Sequence, residues 1–187
     1  MMTTTDSSQP SVAMTPFLPP PAPRASTPWD RPDWQHIWLA TQARPWRTLA
    51  IVPADDHMST YEVATLITAL GQHHGEAMGF GDLRDVPLGG VTSVLDKMAW
   101  HIGRGERVVL STRSTRENLA TIPLARAADA VILCVTLGTT SIEAVEEAVR
   151  HFGRERFLGS MLLPKLPANV GYATPIALEP RRLGGRS

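Results

Sequence analysis

The chain has 187 residues, enough for one domain of ordinary size with additional terminal segments. Hydrophobic residues make up 43% of it, which suffices for a core, and the formal net charge is zero. That balance argues against a broad nucleic-acid-binding surface and against attachment to acidic lipids. The single cysteine, Cys134, excludes a disulfide framework or a cysteine-rich zinc site within one chain, and its apolar surroundings favour burial.

The two ends of the chain differ in composition from the middle. Residues 1–28 are rich in Pro, Ser and Thr and lack the basic start and apolar segment of a signal peptide. No stretch reaches the roughly 20 apolar residues that a membrane span needs. We therefore expect a soluble cytoplasmic protein in which residues 1–28 are disordered and residues 166–187, again rich in proline, form a loose tail.

A tryptophan-rich segment, residues 29–47, leads into the domain. Its pattern predicts a short helix that Asp33 caps and that carries Trp34, Ile37 and Trp38 on one face. The rings could cover one edge of the core, or they could form a docking surface for another chain. Covering the core is the favoured interpretation.

From residue 48 to residue 165, apolar runs alternate with segments of helical periodicity. The strands are predicted at 48–52, 76–81, 107–110, 130–135 and 157–163. The helical faces are marked by Val63, Leu66, Ile67 and Leu70, then by Val94, Leu95, Met98 and Ile102, and last by Ile142, Val145, Val149 and Phe152. A further short helix is predicted over 117–126, interrupted by Pro123, and Gly71 is expected to end the first helix. This alternation predicts an α/β fold, with a doubly wound, mostly parallel sheet and helices on both faces.

The turn after the first strand is the first candidate site, because ligands of such sheets bind at the carboxyl ends of the strands. This turn, PADDHMST, has neither the glycines nor the lysine with which a phosphate-binding loop surrounds phosphates. Asp55 and Asp56 instead place two carboxylates there, and each would repel a polyphosphate by on the order of 1 kcal/mol or more. Ser59 and Thr60 begin the next helix, where helix capping with Glu62 as a partner is favoured over Mg²⁺ binding.

Two weaker candidates remain at the same edge of the predicted sheet. His57, beside Asp55 and Asp56, could form a metal site or an acid–base pair, although a polar surface turn is the favoured interpretation. The polar and basic loop 111–116 could bind an anion, although a solvated loop is favoured.

Two stretches of the chain carry a family resemblance. The run RAADAVILCVTLGTTSIEAVEEAVRHFGRERFLGSMLL and the triplet Asp82-Leu83-Arg84 resemble motifs of the P-loop ATPase domain of bacterial capsular and exopolysaccharide tyrosine kinases. These kinases belong with the deviant-Walker ATPases that partition chromosomes and place division sites. The resemblance extends from about residue 46 to residue 163. It implies a three-layer sandwich like that of P-loop NTPases, so the domain 48–165 is identified as a degenerate member of that group.

The departures from the family pattern fall on the nucleotide-handling positions. Met58 stands where the family has its phosphate-binding lysine, and Phe80 replaces the first of two aspartates, of which Asp82 survives. Ser111 replaces an aspartate linked to the metal ion, and the tail has only Tyr172 where the kinases carry a tyrosine cluster. Loss of the lysine alone removes a charge contact on which phosphoryl transfer in P-loop proteins relies. The resemblance therefore implies a pseudo-enzyme, without catalytic residues or a metal site.

The favoured functional hypothesis is a non-catalytic partner or scaffold in exopolysaccharide or capsule biosynthesis and export. The resemblance implies docking on a membrane polysaccharide co-polymerase or another assembly protein, which would hold the chain at the inner membrane. It implies no nucleic-acid partner and no cofactor, with Ser59, Thr60 and Asp82 as remnants of a nucleotide site. A related alternative is a spatial-organisation module of the partitioning type, which works as a homo-oligomer without turnover.

The other alternative is a divergent ATPase or tyrosine kinase that a partner subunit completes. Asp82, Ser59 and Arg113 would then carry the activity with ATP and Mg²⁺. This hypothesis requires a lysine that reaches the first loop. Lys97 and Lys165 lie elsewhere in the sequence, so the enzyme hypothesis is disfavoured.

Overall fold

A computed structural model describes residues 31–56 and 58–163 of the chain. The segments 1–28 and 166–187, for which disorder is predicted, lie outside the described residues, as does His57. The elements, in chain order, are α1 (Pro32–Thr41), β1 (Thr48–Pro53), α2 (Tyr61–His73), β2 (Met78–Asp82), α3 (Val91–Gly103), β3 (Arg107–Ser111), α4 (Thr121–Ala127), β4 (Ala130–Thr136), α5 (Ile142–Phe152) and β5 (Phe157–Leu163).

The five strands form one all-parallel sheet in the order β2-β3-β1-β4-β5. The chain runs from β1 outward to β2 and then returns through β3 and past β1 to β4 and β5. Right-handed crossovers then require α2 on one face and α3, α4 and α5 on the other, and this is where they pack. The predicted fold class, a doubly wound three-layer α/β sandwich of the P-loop type, is confirmed.

The central strand β1 is buried along its whole length because both faces of the sheet are covered. Leu49 and Ile51 pack towards α1 and α2, whereas Ala50 and Val52 pack towards α4 and α5, as the two-residue period of a strand requires. The connection that leaves β1 crosses to one face of the sheet, whereas those that leave its neighbours β3 and β4 cross to the other. The crevice at the carboxyl end of β1 is therefore where a ligand site is expected.

The described tryptophans of the lead-in segment, Trp34, Trp38 and Trp46, cover the core. Trp38 and Trp46 are buried, and Trp34 and Ile37 pack against the same cluster, so the favoured interpretation of these rings is confirmed. The capping prediction for Asp33 is wrong. The helix begins at Pro32, and Arg31 takes the cap position. Proline suits the first position because the N–H that it lacks would have no acceptor within the helix there.

Two predicted helix boundaries are wrong for identifiable reasons. Gly71 does not end α2, which continues to His73. A Cβ added at position 71 would lie 2.8 Å from the Met78 side chain, so the glycine lets β2 approach the helix closely. Pro123 does not interrupt α4, because the helix begins at Thr121 and Pro123 lies in the first turn, where N–H groups have no acceptor within the helix.

Within the described ranges, no helix combines the length and the hydrophobicity needed to cross a membrane.

Candidate functional site

Polar side chains from the turns after β1, β2, β3 and β4 meet at the carboxyl edge of the sheet. The pairs that join these turns are Thr60 with Ser111, Asp56 with Ser114, Arg113 with Asp85, and Thr140 with Asp55. The predicted site residues that the structure describes lie at this edge, and we call the group the carboxyl-edge cluster; His57 lies outside the described residues. Its members are Asp55, Asp56, Ser59, Thr60, Asp82, Arg84, Asp85, Ser111, Thr112, Arg113, Ser114, Arg116 and Thr140.

Thr60 lies at the centre of the carboxyl-edge cluster and is fully buried. Its hydroxyl donates to the carbonyl oxygen of Thr112 at 2.8 Å and lies 2.9 Å from the hydroxyl oxygen of Ser111. Because a hydroxyl has one proton to donate, Ser111 is the donor to Thr60. Thr60 occupies the cap position of α2, but its side chain makes no cap hydrogen bond. The capping role predicted for this hydroxyl is therefore wrong, since the hydroxyl joins α2 to the end of β3.

Ser59 takes over part of the capping role. Its hydroxyl oxygen accepts a hydrogen bond from the backbone N–H of Tyr61 at 3.3 Å. The buried Oε2 of Glu62, the predicted capping partner, has no hydrogen-bond partner among the described residues. The N–H groups that open α2 point towards a turn that carries two carboxylates rather than a phosphate-binding loop.

Asp82, the last residue of β2, forms a two-pronged ion pair with Arg84. The Nε and Nη2 atoms of Arg84 lie 2.8 Å from the two oxygens of the carboxylate. The hydrogen bond to Asp82 raises the pKa of Arg84, and the guanidinium also lies 4.9 Å from the centre of the Tyr61 ring. The aspartate that the resemblance assigns to a nucleotide site is thus already paired with a cation of this chain.

The two carboxylates of the first turn are bound to hydroxyls from other turns. Asp56 accepts a hydrogen bond from Ser114, which follows β3, and Asp55 accepts one from Thr140, which follows β4. The Thr140 hydroxyl oxygen in turn accepts the backbone N–H of Thr136 at 2.8 Å. The first turn is therefore fixed from both sides by contacts that leave its negative charge at the point a phosphate would approach.

The loop after β3 is basic in sequence but is paired with acidic side chains in the structure. Arg113 lies 2.8 Å from Asp85 and 3.8 Å from Glu117, and Arg116 lies 2.6 Å from Glu147. Hydrogen bonds to the carboxylates of Asp85 and Glu147 raise the pKa values of Arg113 and Arg116, respectively. Each arginine of this loop already has a carboxylate partner, which favours the solvated-loop interpretation over an anion site.

Met58 stands at the position that the resemblance assigns to a lysine. Its side chain is half-buried and packs against the core cluster beneath α2, and its sulfur accepts a hydrogen bond from the Thr136 hydroxyl at 3.5 Å. A thioether in this place supplies no charge to a phosphate. In the described ranges, no group of three or more His, Cys, Asp or Glu residues is arranged to hold a metal ion.

The comparisons with known proteins add no relative. A scan against protein-family models finds no match to this chain, and a search of curated proteins finds none either.

Sequence reasoning located this edge but missed most of the partners within it. The sequence does contain a signal for the pairing of Asp82 with Arg84, because the two residues lie two positions apart in one short motif. Thr140 and Asp55 are separated by 85 positions, and no periodicity connects them. Their contact follows from the strand order, which places β4 next to β1.

Proposed function

We propose that this chain is a non-catalytic, P-loop-like partner or scaffold protein in the biosynthesis and export of a bacterial exopolysaccharide or capsule. In this proposal it acts in the cytoplasm and docks on a membrane polysaccharide co-polymerase, which holds it at the inner membrane. The observation that carries the non-catalytic part is the first turn, in which Asp55 and Asp56 are held by Thr140 and Ser114.

The physical argument concerns charge at the phosphate position. Two carboxylates stand in the turn where P-loop proteins place glycine N–H groups, and Met58 stands where they place a lysine. Opening the turn for a nucleotide would break their hydrogen bonds and still leave two negative charges beside the phosphates. The arginines of the carboxyl-edge cluster, Arg84, Arg113 and Arg116, would have to leave Asp82, Asp85 and Glu147 to compensate.

The pathway and the partner rest on the resemblance described above. The run from Arg126 to Leu163 and the triplet that begins at Asp82 keep the family pattern, while the nucleotide-handling positions depart from it. A domain that keeps the scaffold and loses the nucleotide site keeps surfaces for docking. This supports a role through protein contacts rather than turnover.

The first experiment is a calorimetric titration of the full chain with ATP and ADP in the presence of Mg²⁺, together with thermal melts. We expect no binding heat and no shift of the melting temperature. The matched variant is the double substitution Asp55→Asn and Asp56→Asn, which removes both charges and keeps hydrogen-bonding oxygens. Micromolar binding of ATP to the unaltered chain would overturn the proposal in favour of an enzyme completed by a partner subunit.

The second experiment tests the partner. The full chain is immobilised and exposed to the purified cytoplasmic part of a membrane polysaccharide co-polymerase encoded by the same organism. Saturable binding that persists without nucleotide is the expected result. Absence of binding, with self-association as the only interaction, would favour the partitioning-type module instead.

A further inference from the structure

A cleft of about 760 Å³ lies at the amino edge of the sheet, at the opposite end of the strands from the carboxyl-edge cluster. Its lining includes residues just before β1, at the start of β3 and just before β4, which are neighbouring strands. The volume falls within the range of roughly 300–1,000 Å³ that is usual for small-molecule sites. No residue of the carboxyl-edge cluster lines this cleft, which we call the amino-edge cleft.

Arg107, in the wall of the amino-edge cleft, has a charge whose burial is only partly offset. Its side chain is 14% exposed, and its guanidinium lies 3.6 Å from the centre of the Trp46 ring. Nη1 donates to the neutral Oε1 of Gln42 at 3.0 Å and lies 3.6 Å from a carboxylate oxygen of Glu76. The buried Nε has no acceptor among the described residues, and burial lowers the pKa of Arg107. A buried donor in this state is commonly satisfied by a bound ion or water.

Arg44 and Arg47 add two further guanidinium groups to the lining. Arg44 donates to the backbone carbonyl oxygens of Asp129 and Arg156, at 3.2 and 2.7 Å, and to that of Glu155. Carbonyl oxygens carry no net charge, so these bonds position the guanidinium without neutralising it. Arg47 is exposed, and it is its backbone N–H that donates to Asp129. In the carboxyl-edge cluster, by contrast, each arginine is paired with a carboxylate.

Arg47 and Arg107 lie side by side at the starts of neighbouring strands. The register pairs Thr48 of β1 with Val108 of β3, and the N–H of Val108 donates to the carbonyl oxygen of Arg47 at 2.7 Å. Neighbouring strands lie about 4.8 Å apart, so the two arginine side chains leave the backbone close together. One carboxylate could therefore accept hydrogen bonds from both.

The two carboxylates that line the amino-edge cleft, Glu106 and Asp129, are already bound within the chain. Glu106 lies 2.7 Å from Nδ1 of His101 and 3.4 Å from Nε of Arg104, and the hydrogen bond with His101 lowers its pKa. Burial opposes the charge of Asp129, but hydrogen bonds from the start of β1 lower its pKa as well. Both carboxylates are therefore charged at neutral pH. Against the three arginines of the lining, they leave one net positive charge.

We propose that the amino-edge cleft binds a small molecule through a single carboxylate, which Arg47 and Arg107 hold. Guanidinium groups bind carboxylates through parallel N–H···O bonds, and one negative charge balances the net charge of the lining. A polyphosphate would bring more negative charge than the lining offsets, beside the carboxylate of Asp129. The cleft is larger than one carboxylate, so the ligand carries a further body. This inference depends neither on the pathway and partner proposed above nor on the absence of a nucleotide site.

The test titrates the full chain with benzoate and with glucuronate, two monocarboxylates of which one has an apolar body and the other a hydroxylated body. NMR signals of the arginine Nε–H groups report binding at the site, and thermal melts report it globally. We expect a saturable shift of the Arg107 signal with at least one acid and none with the neutral counterparts, benzyl alcohol and glucose. The acid that binds more tightly identifies the kind of body. Inorganic phosphate, which carries more negative charge, should bind more weakly than that acid.

Three variants locate the binding. Arg47→Gln should raise the dissociation constant of the acid by about tenfold or more. The fold should tolerate it, because this side chain is exposed and the backbone N–H that binds Asp129 remains. Arg107→Lys keeps the charge but removes the parallel hydrogen bonds, so it should also weaken binding. Arg150→Gln, exposed on α5 and outside the lining, is the matched control and should leave the affinity unchanged.

Four results would overturn the proposal. They are the absence of binding by both acids, equal affinity for the neutral counterparts, tighter binding of inorganic phosphate than of either acid, and unchanged affinity in the Arg47→Gln variant.

Discussion

The buried hydroxyls of Thr60 and Ser111 lie 2.9 Å apart and are hydrogen-bonded to each other. The proposed resemblance would assign to these two positions a hydroxyl and an aspartate that are linked to a metal ion. A carboxylate buried at position 111 would need a compensating cation, whereas a serine needs only a hydrogen-bond partner. Ser111 therefore joins the start of α2 to the end of β3 by a neutral contact between side chains.

Thr60→Val tests the contribution of this contact to stability. Valine has nearly the same shape but leaves the Ser111 hydroxyl and the Thr112 carbonyl without their partner, so we expect a loss of about 1–3 kcal/mol in the free energy of unfolding. Urea denaturation measures it. Thr92→Val, at an exposed position on α3, is the matched control and should change stability by less than about 0.5 kcal/mol. Equal effects of the two substitutions would contradict this account of the site.

Asp129 gives a pH-dependent prediction at the opposite edge of the sheet. Burial disfavours the charged form of Asp129 and would raise its pKa. Its carboxylate accepts hydrogen bonds from the N–H groups of Arg47 and Thr48 and from the Thr48 hydroxyl, at 2.8–3.0 Å. These hydrogen bonds outweigh burial and lower the pKa below the ordinary 3.8. A lowered folded-state pKa stabilises the fold above pH about 4, and this contribution disappears as the pH falls through the folded-state value.

Asp129→Asn should therefore lower the free energy of unfolding at neutral pH and flatten its decline below pH about 4. Denaturant titrations at several pH values measure both effects. Asp96→Asn, at an exposed position on α3, is the control and should leave the slope of the free energy of unfolding against pH unchanged. If the slope for Asp129→Asn matched that of the unaltered chain, the depressed pKa would not contribute to acid stability.

Most of the fold could be predicted from the sequence because its elements are strongly periodic. The run Ala130–Val135 is continuously apolar, and this is typical of a strand buried on both faces. The prediction for the second strand is the least accurate, because the sequence predicts 76–81 and the structure has Met78–Asp82. Its glycines weaken any strand signal, and they are tolerated because α2 and α3 cover this edge.

The candidate site was harder to predict than the fold. The position of the first turn at the carboxyl edge follows from chain order, and Asp55 and Asp56 were identified on that basis. Their partners Thr140 and Ser114 could not be identified, because strand order decides which turns are neighbours and the sequence does not state it. The sequence also could not show that the Thr60 hydroxyl points at β3 rather than at its own helix.

Cys134 provides a probe of global unfolding. Its side chain lies within the central cluster beneath α2, and burial raises the pKa of the thiol to about 12. Since the thiolate is the reactive form, we expect a disulfide reagent to label the native chain only through opening of the core. The labelling rate at neutral pH should follow the unfolding equilibrium as urea is added. Rapid stoichiometric labelling in the absence of urea would contradict the burial of this residue.

The glycines at the ends of α5 and α3 predict opposite effects of the same substitution. Gly153 follows α5 with a φ of 83°, a backbone conformation that residues with a Cβ rarely adopt. Gly153→Ala should therefore destabilise the fold by about 1–3 kcal/mol. Gly103 is the last residue of α3, and a Cβ there would meet no atom within 4 Å. Gly103→Ala should therefore stabilise the fold by up to about 1 kcal/mol through helix propensity.

Thermal melts of the two variants beside the unaltered chain measure both changes. The opposite signs make each variant the control for the other, since both exchange a glycine for an alanine next to a helix end.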